Sequence, residues 1–99
     1  MSAYRLTQAA ADDIADIYTE SFGLFGLEQA DLYHDGLFVA FEFLADYPRA
    51  ARVREEIGSA VRAYPYKSHL IIYEVGTGDG VVILRVRHSR EDWQAMQQE

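Results

Sequence analysis

The residues of this chain best equipped for chemistry crowd toward its end. The stretch RVRHSRED, residues 85–92, carries Arg85, Arg87, His88 and Arg90, while Arg62 and His69 lie in the two β-rich segments before it. Guanidinium groups stay protonated and present planar forks of donors that match carboxylate and phosphate oxygens. Gathered on one surface, they would grip an anionic partner. They would also suit a phosphodiester transition state, but cleavage needs a further group that moves a proton near neutral pH. Arginine cannot be that group; His69 or His88 could. A histidine on an apolar strand face is more commonly a hydrogen-bonded structural residue, so the residues alone leave binding and acid–base chemistry both open.

Other chemistries find less support. His34, His69 and His88 are widely separated and lie in no metal-ligand spacing, so no metal site is expected. Gly76, Gly78 and Gly80 supply a glycine-rich stretch, but it joins two strands and opens no helix, so it reads as a hairpin connection and not a phosphate cradle. Absence of cysteine removes thiolate nucleophiles and disulfides, and no serine sits in a G-x-S-x-G elbow. No cofactor is expected.

The elements that must position these groups fit one domain, residues 1–99. Hydrophobic residues make up 49% and aromatics 13%, outside the disordered range. The N-terminus lacks the pattern of a signal peptide, and no apolar run reaches the roughly 20 residues that span a bilayer; the expectation is a soluble cytoplasmic protein without a membrane partner. The formal net charge is -7, unevenly spread. Residues 1–47 hold nine acids and one base, whereas residues 48–90 hold eight bases and four acids. Net negative charge argues against direct nucleic-acid binding but leaves room for a local arginine patch.

Tyr4 to Thr7 alternates as a short strand, and Thr7 then caps a helix whose first turns carry Asp12 and Asp13. Ile14, Ile17, Tyr18 and Phe22 follow helical spacing until the Gly23-Leu24-Phe25-Gly26 break. A second helix is predicted over residues 27–47, with Ala30, Tyr33, Leu37, Phe41 and Leu44 as its stripe and Pro48 as its stop. Residues 49–58 are ambiguous between a helical turn and a connector. Strands are predicted over residues 59–64, 69–75 and 81–88, with a turn at Pro65. Simple alternation in the last strand places Val82, Leu84, Val86 and His88 on one face, and Val81, Ile83, Arg85 and Arg87 on the other. Ser89 followed by Asp92 predicts a short C-terminal helix through Met96. The fold class is α+β: a short strand, an antiparallel helical hairpin and a small antiparallel β-sheet against which the hairpin packs.

Several segments, in order and at matching spacing, carry a resemblance that covers about 90 residues. They are YRLT at residue 4, ADDIADIY at 11, GLEQA at 26, FLADYP at 43, RVREEI at 52, Val61-Arg62, HLIIY at 69 and RVRHSRED at 85. Together they resemble the ParE branch of the RelE/ParE toxins of type II toxin–antitoxin modules. The resemblance implies a growth-inhibiting toxin held inactive by a ParD-like antitoxin in a hetero-oligomer. ParE-like members act on DNA gyrase, stalling it with DNA cleaved; RelE-like members cut mRNA on the ribosome. RelE-like enzymes rely on lysines and arginines, often with a C-terminal tyrosine or histidine. Here Lys67 is the only lysine and no tyrosine follows Tyr73, which favours gyrase. The alternatives are a ribosome-dependent endoribonuclease or an inactive antitoxin-binding partner.

On this reading the protein is a non-enzymatic inhibitor. Its target surface is expected to comprise Arg62, His69, Arg85, Arg87, His88 and Arg90, with the tail around Trp93. The antitoxin is expected on Phe38, Phe41 and Phe43, more large apolar side chains than one inward stripe needs, with Arg52 and Arg54 countered by its acids.

Overall fold

The computed structural model describes residues 3–90. Strand β1 (Tyr4–Leu6) leads into helix α1 (Gln8–Phe25), and helix α2 (Leu27–Asp46) follows after one residue. Three further strands, β2 (Arg62–Tyr66), β3 (His69–Val75) and β4 (Val81–His88), complete a four-stranded sheet of order β1-β4-β3-β2. β2, β3 and β4 form the expected antiparallel meander, and β1 joins it in parallel, Tyr4 opposite Val81 and Leu6 opposite Ile83. The sheet is therefore mixed.

Local chemistry explains the helix boundaries. The Thr7 hydroxyl accepts the Ala10 N–H at 3.0 Å, capping α1, and donates to the Leu84 carbonyl at 2.7 Å, pinning that cap to β4. α1 runs through Gly23 to Phe25 and yields only at Gly26, whose φ of +93° a side chain would resist. The two helices pair as an antiparallel hairpin, tied where the Tyr18 hydroxyl donates to Asp31 at 2.6 Å. α2 ends at Asp46, two residues before Pro48. Residues 49–58 resolve as a connector of turns, from which Val53 bridges to Arg62.

Two strand expectations need correction. β2 begins at Arg62 and not at residue 59, and Pro65 lies inside it, opposite Leu70. Proline is tolerated there because β2 is an edge strand. The chain reverses instead at Lys67, with φ +53°, and Ser68. The second correction concerns the faces of β4. Ile72 pairs with Arg85 but Tyr73 pairs with Ile83, so Leu84 is an extra, bulged residue. The alternation shifts there, and Val81, Ile83 and Val86 all face the core.

α2 contributes Leu37, Phe41 and Leu44 to that core, each wholly buried, and α1 contributes Ile14 and Ile17. Side chains of this kind each gain about 1.5–3 kcal/mol from burial. Tyr73 lies among them, its hydroxyl donating to the Pro48 carbonyl at 2.8 Å and so tying the connector to the sheet. The predicted C-terminal helix and Trp93 fall outside the described residues.

Candidate functional site

The end of β4 is organised by an acid from another element. Asp13 belongs to the buried stripe of α1, with Ala10, Ile14 and Ile17. Its carboxylate accepts from Arg85 Nε at 2.8 Å and Nη2 at 3.1 Å, from Arg87 Nη1 at 3.0 Å, and from the Val86 backbone N–H at 3.0 Å. Burial pushes the Asp13 carboxyl upward, but the Arg85 and Val86 hydrogen bonds and the two guanidinium charges outweigh it, holding its pKa below the usual carboxylate value. One carboxylate thus serves two arginines and the backbone of the strand between them. The two guanidinium side chains remain partly open to solvent, at 37% and 29% exposure.

On the helix-covered face, His69 stands directly opposite His88, their rings edge to face with centroids 5.5 Å apart. His69 is buried, and its Nδ1 lies 2.6 Å from the Tyr33 hydroxyl of α2. The backbone N–H of Arg90 donates to His88 Nδ1 at 3.1 Å, fixing the turn that carries the exposed Arg90 side chain beyond the sheet. His69, Arg87 and His88 line one cleft of about 420 Å3 together with Asp13, Asp16 and Glu20 of α1. This end of the sheet is consequently of mixed charge and not a simple positive spot.

Arg62 does not join the group. It stands opposite Tyr73 on the core-facing side and donates to the Ala51 carbonyl at 2.5 Å, whereas Arg85 stands opposite Ile72 on the other side. Arg62 was expected in one contact surface with Arg85 and Arg87; this register sets it on the opposite face of the sheet from them.

The expected apolar docking residues also divide. Phe41 is wholly buried and belongs to the core, so it is removed from the antitoxin surface. Phe38 is half-buried, its ring packed against Phe41 and His34. Phe43, 38% exposed, meets Tyr47 and Tyr64 beside a groove of about 550 Å3 at the end of α2. Arg52 is exposed nearby, and Arg54 donates from Nε to Glu56 at 2.5 Å. A larger apolar exposure lies where no site was expected: Phe22, Leu24, Phe25 and Leu27 cluster around the hairpin turn at Gly26.

Two residues central to this geometry were absent from the expected site. Asp13 had a signal in the sequence, an acid at an apolar-stripe position of α1, where a charge requires a partner. Tyr33 had none, because a tyrosine on a helix stripe looks the same whether its hydroxyl meets solvent or a histidine. Among the described residues no group of three His, Cys, Asp or Glu side chains is placed to hold a metal ion. No described helix is long and apolar enough to cross a membrane.

Residues 4–93 match the profile of the family described as the ParE toxin of the type II toxin–antitoxin system, parDE. The chain belongs to the ParE toxin family. It is 35% identical over 88 residues to Toxin ParE1 of Caulobacter vibrioides, covering 89% of this chain and 90% of that one. Toxin ParE1 of Mycobacterium tuberculosis is 34% identical over 92 residues, covering 92% and 93%. The fold of this ParE toxin is shared with the chromosomal ParDE system from P. aeruginosa, at TM-score 0.76 and 24% identity, covering 89% of this chain and 96% of that chain. It is also shared with the RelBE2 toxin–antitoxin complex from M. tuberculosis, at TM-score 0.61 and 21% identity, covering 88% and 96%. The family match takes in the whole ParE sheet, including the Asp13–Arg85–Arg87 cluster.

Proposed function

We propose that this ParE-type toxin stops growth by poisoning DNA gyrase, as a binder and not as an enzyme. We further propose that a ParD-like antitoxin holds it inactive in a cytoplasmic hetero-oligomer. The observation that carries this reading is the match to the ParE toxin family over residues 4–93. The geometry at the end of β4 supports it. Arg85 and Arg87 are immobilised on Asp13, so little side-chain entropy remains to be lost when they meet an anionic surface. Arg90 extends the charge past the strand, and His69, His88 and Trp93 complete the proposed contact. Arg62, on the other face, is left out of it. The antitoxin is proposed to cover exposed apolar surface that includes Phe43, and to reach Phe38, Arg52 and Arg54 as well.

The test is plasmid supercoiling by purified gyrase with increasing amounts of the chain. Loss of supercoiling, with linear DNA released on denaturation, is the expected result; full supercoiling at large excess would overturn the reading. One observation favours the ribonuclease alternative: the Tyr33–His69 contact at 2.6 Å gives the sheet end a pair able to move a proton. That alternative predicts shortened mRNA in a translation reaction that contains no gyrase.

A further inference from the structure

The Tyr33 hydroxyl sits where α2 meets the turn between β2 and β3. It lies 2.6 Å from His69 Nδ1, 3.4 Å from the Tyr66 carbonyl and 3.5 Å from the Ser68 hydroxyl. A hydroxyl has a single proton to donate but accepts at the same time, so its bonds depend on what His69 Nδ1 carries. A bare Nδ1 accepts from Tyr33. A protonated Nδ1 donates to Tyr33 and turns the hydroxyl's own proton toward the Tyr66 carbonyl. His88, edge to face with His69, has no such freedom. Its Nδ1 is met by the backbone N–H of Arg90, which only donates, so a proton there breaks the bond. Of the two imidazoles, His69 alone takes a proton at Nδ1 and keeps its partner.

We propose that Tyr33, His69 and the Tyr66 carbonyl form a proton-operated latch between α2 and the β2–β3 turn. With His69 neutral, Tyr33 holds β3 alone; with His69 charged, the same hydroxyl holds β3 and the turn together. The charged groups around the imidazole set the balance. Asp16 and Glu20 of α1 line a cleft with His69 and favour its charged form, whereas Asp13 in the same cleft is already engaged by Arg85 and Arg87. Opposing it are the burial of His69, Arg87 and any charge on His88 of β4, and Lys67, whose ammonium lies 5.8 Å from the centre of the Tyr33 ring. Two charged imidazoles with ring centroids 5.5 Å apart disfavour each other, so the pair takes one proton before two. The reversible hydroxyl assigns that proton to His69. Imidazole changes charge near neutral pH, so mild acid closes the latch. Closure also adds positive charge at the end of the sheet. What that does to a target rests on the gyrase reading; the latch does not.

The experiment follows the histidine ring nitrogens and the backbone of the isotope-labelled full chain by NMR, from about pH 8.5 to about pH 5. At the alkaline end His69 Nδ1 is expected bare. On acidification it should gain a proton, and the Tyr66 carbonyl carbon and the Lys67 amide should shift with the same midpoint. Hydrogen bonds to a charged group are stronger than neutral ones, so Tyr33→Phe should lower that midpoint by about half a pH unit. It should also abolish the coupled shift at Tyr66 and Lys67. Asp16→Asn and Glu20→Gln, at exposed positions where the fold is not at stake, should lower the midpoint and leave the shift coupled. An Nδ1 that carries its proton throughout, a His69 that stays neutral to the acid limit, or backbone shifts that follow His88 and not His69 would each overturn the latch. A midpoint unmoved by the Asp16 and Glu20 changes would overturn the assignment of its counter-charges.

Discussion

Asp13→Asn removes a charge while leaving shape almost unchanged, which makes it the sharpest probe of how β4 is held. The side chain is 6% exposed and accepts hydrogen bonds from Arg85, Arg87 and the Val86 N–H. Hydrogen bonds to a charged group contribute about 1.5–3 kcal/mol each. Arg85 and Arg87, at 37% and 29% exposure, recover part of that loss by turning into water, and an asparagine oxygen still serves Val86. The expected cost of Asp13→Asn is therefore about 2 kcal/mol, below the roughly 3–5 kcal/mol for breaking a fully buried pair, because both arginines reach solvent. Asp13→Ala also orphans the Val86 N–H and should cost about 3–4 kcal/mol. For a domain of this size the asparagine change corresponds to about 8–16 °C in Tm. Urea and thermal unfolding followed by circular dichroism measure both. In an Arg87→Gln background the asparagine change should cost about 1 kcal/mol less, because the partner is already gone. Both variants unfolding within about 0.5 kcal/mol of the parent would refute the clamp.

Three further outcomes follow from the same geometry. The Asp13 pKa is lowered on folding, so its contribution is complete above the ordinary carboxylate value near about pH 4 and is lost as pH falls through the lowered one. The urea midpoints of the parent and Asp13→Asn should accordingly converge in acid; a gap that stays constant would contradict the shift. At Gly36 a β-carbon would fall inside the Tyr66 hydroxyl and 2.9 Å from its Cζ. Alanine gains about 1 kcal/mol of helix propensity, but Tyr66 must leave its edge contact with Tyr33 and the Lys67 ammonium. The net expectation is about 1 kcal/mol of destabilisation by urea titration, and a stabilised variant would contradict the packing. Tyr73→Phe removes the donor to Pro48 and the acceptor of the Ala51 N–H, and should cost about 1–2 kcal/mol in the same titration.

Features governed by neighbouring residues were readable from the chain alone. Thr7, Pro48 and the apolar stripes of α1 and α2 placed both helices, with only the last turn of α1 misjudged, because glycine at 23 tolerates a helix that φ +93° at Gly26 ends. Features governed by distant partners were not. The parallel pairing of β1 with β4 joins residues more than 70 positions apart and leaves no periodic mark. Pro65 looked like a turn because its edge position, which spares its missing N–H, is set by the sheet order. The bulge at Leu84 reversed the faces of Val86 and the arginines, and strict alternation carries no warning of such an insertion. Of the proposed target residues, His69 and His88 meet because their strands pair in that register. Arg85 and Arg87 meet because Asp13, part of an otherwise apolar stripe, draws both onto α1.

The most direct test of the central claim is the affinity of the purified chain for gyrase on DNA, compared with that of Arg90→Glu. Arg90 is exposed, and its backbone, not its side chain, makes the bond to His88 Nδ1, so the fold should be unaffected. Binding by the parent chain and a loss of at least about tenfold in the variant, with unchanged melting, is the predicted result. Equal affinities, or no binding by the parent chain at all, would contradict a gyrase contact made through the arginine-bearing end of β4.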